Sequence, residues 1–137
     1  MGNLLDTDVI SQRIKANPDA RVVQWLSKVQ ESELCVSAIS FLEIRTGIER
    51  MPRGRKRQNL ELWLSTDLPR SFAGRILSVD AVVADACGRM LVVSEESGHT
   101  PGLADALIAS TAKVHGLRIA TLNRRHFERL GVELVEF

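Results

Sequence analysis

The chain has 137 residues, 45% hydrophobic and 26% charged, with a net charge of +1. That length suits one domain with a real core, spanning residues 1–137, and leaves no room for a two-domain enzyme; the composition excludes disorder. Near-neutral charge means that a nucleic-acid surface has to come from local patches, and 4% aromatics with no tyrosine argue against a base-stacking platform.

In chain order, Asn3 to Asp6 reads as a short buried strand, and Asp8 to Ala16 as a helix stopped by Asn17-Pro18. The run Met1 to Asp6 has no basic region and no long apolar stretch, so the expectation is a cytoplasmic protein with neither signal peptide nor membrane anchor. Val22, Trp25, Leu26 and Val29 recur at helical spacing. Leu34 to Ser37 is a second strand, Ile39 to Met51 a helix ended by Pro52 and Gly54, and Arg55 to Asp67 another helix. Arg75 to Val79 reads as a third strand, and Asp80 caps a long helix reaching about Ser97. Leu103 to His115 is a helix ended by Gly116. A strand Leu117 to Thr121, a short helix from Arg124 to Leu130, and a last strand Val132 to Val135 complete the chain. Strands separated by helices imply a mainly parallel central sheet covered on both faces, a three-layer α/β/α architecture. Sites in such sheets lie at the carboxyl ends of the strands.

That rule selects four residues. Asp6 ends the first strand; it is either a site carboxylate or the cap of the next helix. Glu43 has Ile39, Ser40, Thr46 and Gly47 one turn away, a face too small and apolar for an ordinary solvated glutamate, although an exposed glutamate stays open. Asp105 precedes Ile108, Ala109 and Ala112 on an inward helix face, where a carboxylate is costly unless paired or metal-bound; the alternative is a charge serving the helix dipole. Asn123 follows the fourth strand, as a helix cap or as an oxygen ligand.

Other chemistries find little support. Cys35 and Cys87 read as buried free thiols, and no histidine has a partner at zinc-ligand spacing. There is no glycine-rich phosphate loop and no Gly-x-Ser-x-Gly frame. Asp85 and Arg89 form an ordinary exposed pair. If Asp6, Glu43 and Asp105 converge, each pair of charges about 4 Å apart costs about 4 kcal/mol at an effective dielectric near 20. A divalent cation removes that cost, and oxygen-only ligands select Mg²⁺ or Mn²⁺.

The segments Leu4-Leu5-Asp6-Thr7-Asp8-Val9-Ile10-Ser11, Val36 to Ile48, Leu103 to Ala109 and Ala120 to Phe127 together resemble a PIN domain, and more narrowly the VapC and FitB toxins of bacterial toxin–antitoxin modules. The resemblance runs from Asn3 to Phe137. It implies a PIN-like fold and a Mg²⁺- or Mn²⁺-dependent endoribonuclease, the toxin of a type II module. Its catalytic metal carboxylates would be Asp6, Glu43 and Asp105, with Asn123 as a weaker fourth ligand. Thr7 and Thr121 would order the site through their hydroxyls. The resemblance further implies a homodimer and a small antitoxin that blocks the site. Asp8 stands where Asn is commoner, and His126 where an Asp often precedes the Phe. Arg53, Arg55 and Arg57 lie in a basic run from Arg50 to Arg57 that reads as a solvated face or as a contact for RNA phosphates. Two other functions compete. The opening Asp6-Thr7-Asp8-Val9 also resembles a HAD-type phosphatase, and a degenerate PIN module would bind RNA or antitoxin without cutting.

Overall fold

Leu4 and Leu5 are neighbours in sequence but face opposite sides of one strand, because side chains alternate along a pleated backbone. Each therefore enters a different core. Leu5 packs with Val9, Ile10, Val36, Ile48, Phe72 and Ala120 on one side of the sheet. Leu4 packs with Met90, Ile108, Ala109, Ala112, Ile119 and Phe127 on the other. This is the two-sided coverage that parallel strands require.

The computed structural model describes residues 2–137. Strand β1 (Asn3–Leu5) leads into α1 (Thr7–Gln12) and α2 (Ala20–Lys28), then β2 (Leu34–Ser37). Helices α3 (Ala38–Glu49), α4 (Arg55–Leu62) and α5 (Leu68–Ser71) precede β3 (Ile76–Leu77). The long α6 (Ala81–Glu96) and α7 (Leu103–His115) then lead to β4 (Arg118–Ala120). The strand order is β3-β2-β1-β4 and every pairing is parallel. The chain winds outward from β1 to β3, then crosses back to place β4 on the other side of β1. The crevice between β1 and β4 is thus the point where the winding reverses.

Several elements differ from their sequence reading. The first helix ends at Gln12 rather than Ala16, with Arg13 as its cap. The helix expected over Arg55 to Asp67 is interrupted by a widened turn, Trp63–Asp67, in which Leu68 N–H bonds back to the Trp63 carbonyl. Pro69, one residue into α5, explains it: proline has no N–H, and its ring clashes with the carbonyl four residues back. The third strand shrinks to Ile76–Leu77, an edge strand hydrogen-bonded only to β2. The short helix after β4 is one 3₁₀ turn, Arg124–His126. The final strand is reduced to a single bridge between Ile119 and Leu134. Asp80 caps α6 by accepting from Val83 N–H, and Gly116 ends α7 in the left-handed region at φ 65°. Both thiols are free, but only Cys87 is buried; Cys35 is partly exposed. Among the described residues, no helix is long and apolar enough to cross a membrane.

Candidate metal centre at the carboxyl edge of the sheet

Each selected side chain reaches the site from a different element. Asp6 follows β1 and is only 6% exposed, held between strand and helix because its side chain caps α1 by accepting from Thr7 N–H at 2.8 Å. Its other oxygen accepts from Thr121 Oγ1 at 2.7 Å, a bond that ties the end of β1 to the end of β4. The backbone repeats the tie, with Asp6 N–H donating to the Ala120 carbonyl at 2.9 Å. Glu43 sits in the second turn of α3, where Thr7 Oγ1 donates to its Oε1 at 2.7 Å. Ser40 Oγ, fully buried, lies 2.9 Å from the same threonine hydroxyl. Asp105 lies in the first turn of α7 and faces His126, with Oδ2 3.2 Å from Nδ1. Asn123 follows β4 and donates its side-chain N–H to Asp8 Oδ2 at 2.8 Å.

The electrostatics show that these groups share one field. Burial pushes the Asp6 carboxyl above its ordinary range; bonds from Thr121 and Thr7 oppose that, and Asp105 raises it further. Burial likewise raises Asp105, which His126 lowers and Glu43 raises. Asp8 is pushed up to about 6 by burial and then by Asp6. Asp105 therefore interacts with both Asp6 and Glu43. Among the described residues, however, no three acidic, histidine or cysteine side chains form a ready-made cation cage. Each carboxylate has instead taken a partner from the protein: Thr7 donates to Glu43 and Thr121 to Asp6, and His126 Nδ1 lies 3.2 Å from Asp105 Oδ2. Uncompensated carboxylates repel one another, so giving each its own polar partner is the expected arrangement. The donor set still fits a hard divalent cation. It consists of oxygens and carries mutual repulsion that a cation would remove, and beside it Asp8 Oδ1 is buried without a hydrogen-bond partner, a charge that a nearby cation would also offset.

A groove of about 670 Å³ opens from Thr7 and Glu43 and runs between α1, α3 and α4, past Ile48 and Met51 to Trp63. Lys15 and Lys56 stand beside it. The basic run lies near this end of the molecule but is not uniform. Arg53 and Arg55 are exposed. Arg57 is instead committed to Glu49 at 2.6 Å, Glu61 at 2.9 Å and the Met51 carbonyl at 3.1 Å, bracing α3 against α4. In the sequence Asp8 and His126 stand out only as departures from the family pattern, and Ser40 only as a neighbour of Glu43. The structure puts all three against the site. A polar residue at each strand end or one turn away was the only signal available for them.

Known proteins resemble this chain over most of its length. The PIN domain family pattern matches residues 4–133. The chain is 34% identical over 132 residues to VapC ribonuclease Y4jK of Sinorhizobium fredii, covering 96% of this chain and 94% of that protein. It is 36% identical over 124 residues to Toxin FitB of Neisseria gonorrhoeae, covering 90% and 89%. The solved structure of FitAcB from Neisseria gonorrhoeae superposes with a TM-score of 0.90 at 34% identity, covering 98% of this chain and 96% of that one.

Proposed function

The chain belongs to the PIN domain family, whose ribonucleases are in general divalent-metal dependent, and we propose that Asp6, Glu43 and Asp105 hold a Mg²⁺ or Mn²⁺ ion, with Asn123 as a weaker oxygen donor. It is a ribonuclease toxin of a toxin–antitoxin module, acting on RNA and held in check by an antitoxin. The reading takes residues 1–137 as one PIN-like domain, dimeric and cytoplasmic. The phosphatase alternative falls with the family assignment.

The observation that carries the proposal is the placement of these side chains around the carboxyl edge of a parallel sheet: Asp6 at the end of β1 is bonded to Thr121 at the end of β4, Thr7 on the helix that Asp6 caps bonds Glu43, and His126 in the turn after β4 lies 3.2 Å from Asp105. When bound, the cation supplies a Lewis acid that polarises a phosphate oxygen and makes a ligated water more acidic. The chain's own residues supply the geometry. Thr121 and Thr7 N–H fix both oxygens of Asp6, and Thr7 Oγ1 fixes Glu43, so the carboxylates are positioned before substrate arrives. Arg53 and Arg55 are open to RNA phosphates; Arg57 supports that surface by anchoring α4 to α3. The apolar groove leading away from Glu43 suits an apolar segment of the antitoxin, because occupying it would also cover Glu43.

Expression of the wild type beside Asp6→Asn tests the proposal. The expected result is growth arrest by the wild type only, with cleavage of a structured RNA that EDTA abolishes and Mg²⁺ restores. Equal toxicity of the two proteins overturns the role of Asp6. RNA that binds but remains uncut under every divalent metal supports the non-cutting module instead.

A further inference from the structure

The carboxylate of Asp8 is not needed to cap α1, since Asp6 already does so. Its Oδ2 instead reaches across the crevice between β1 and β4 and accepts two N–H groups of the chain beyond β4: Leu122 N at 3.2 Å and Asn123 Nδ2 at 2.8 Å. A side-chain amide has a donor end and an acceptor end, whereas an ionised carboxylate can only accept. The Asp8 contact therefore decides which end of Asn123 faces it. The NH₂ group is turned to Asp8 and the carbonyl Oδ1 is left over. The backbone of Asn123 is fixed as well. Its N–H donates to Thr121 Oγ1 at 3.0 Å, the same hydroxyl that donates to Asp6, and its carbonyl accepts from His126 N at 3.1 Å, in the turn that carries His126 to Asp105. Asn123 is thus pinned at three of its four hydrogen-bonding groups. Among the described residues, Oδ1 is the group with no partner.

We propose that Asp8 is a positioning residue of the metal centre, holding the amide of Asn123 so that its carbonyl oxygen is presented to the cation. This rests on the functional reading given above. Asp8 acts through Asn123 and is not itself counted among the ligands. Partners that orient a ligand in this way typically contribute tenfold to a hundredfold to metal affinity.

The test is calorimetric titration of metal-free protein with Mn²⁺ alone, without RNA, on wild type, Asp8→Ala, Asp8→Asn, Asn123→Ala and the double variant Asp8→Ala/Asn123→Ala. Asp6→Ala serves as control, and circular dichroism verifies folding. Asp8→Ala is expected to weaken Mn²⁺ binding about tenfold. Asp8→Asn keeps an oxygen acceptor for Leu122 N–H and the Asn123 amide and should recover most of that loss. Asn123→Ala, an exposed position whose truncation leaves the core intact, should lose as much as Asp8→Ala, and the double variant no more than either. The inference is overturned by Mn²⁺ affinity unchanged in Asp8→Ala or Asn123→Ala, by Asp8→Asn as weak as Asp8→Ala, or by losses that multiply in the double variant. Asp6→Ala binding Mn²⁺ like the wild type would instead overturn the metal-centre reading itself.

Discussion

Thr121 offers the sharpest test of how the two central strands assemble the site. Its hydroxyl donates to the buried Asp6 carboxylate at 2.7 Å and accepts from Asn123 N–H at 3.0 Å. Thr121→Val keeps the shape, since only the hydroxyl is exchanged for a methyl, and deletes both bonds at once. A hydrogen bond to a charged group contributes about 1.5–3 kcal/mol, and one between neutral groups about 1 kcal/mol, so the metal-free protein should lose about 2.5–4 kcal/mol. For a chain of this length each kcal/mol corresponds to about 3–4 °C, so the melting temperature should fall by about 8–16 °C. The loss also carries a pH signature. Burial already raises the Asp6 carboxyl, and the Thr121 bond opposes that rise. Removing the donor raises Asp6 further, so the variant is penalised most where Asp6 is ionised and least where it is protonated. Urea denaturation in EDTA at pH 7.5 and at successively lower pH measures both effects. A loss below about 0.5 kcal/mol at pH 7.5, or one that does not shrink as the pH falls, would refute the charge-assisted bond.

Three more outcomes follow from other parts of the molecule. Asp19 lies at about 2, held down by Arg21 against an ordinary value of 3.8, so its stabilisation is present above pH 4 and is lost as pH falls through 2; Asp19→Asn should flatten that acid limb of the stability curve, and an unaltered limb would reject it. Replacing Arg53 and Arg55 with Ala should lower the salt slope of RNA binding by about 1.4, near 0.7 per phosphate contact on a single strand. Arg57→Ala should instead lower the melting temperature by releasing Glu49 and Glu61; unchanged slopes in the Arg53/Arg55 pair, or an unchanged melting temperature in Arg57→Ala, would count against this division. Finally, both polar atoms of Asn3 are buried in β1 without a hydrogen bond, so Asn3→Val should raise stability by about 1–2 kcal/mol, read as a shift in urea midpoint; a loss would show that those atoms are satisfied in solution.

The sequence by itself carried the order of strands and helices, the parallel sheet and the position of Asp6, because those depend on local signals. Apolar runs alternate with helical periodicity, Asp80 and Gly116 mark helix ends, and Asp6 closes an apolar strand. Short-range patterns could not show where Pro69 would widen the fourth helix, or that the last strand would shrink to one bridge, since both depend on what packs against them. The site divides along the same line. A polar residue at a strand end is visible in one dimension; its partner is not. Asp8 and Asn123 are 115 positions apart, as are Asp6 and Thr121. Only the crossover that sets β4 beside β1 brings those pairs into hydrogen-bond range, and only there does it emerge that Asp8 holds an amide and that Arg57 braces two helices rather than facing solvent. Hydrogen bonds and charge coupling act over a few ångströms, so these roles were decided by the tertiary structure.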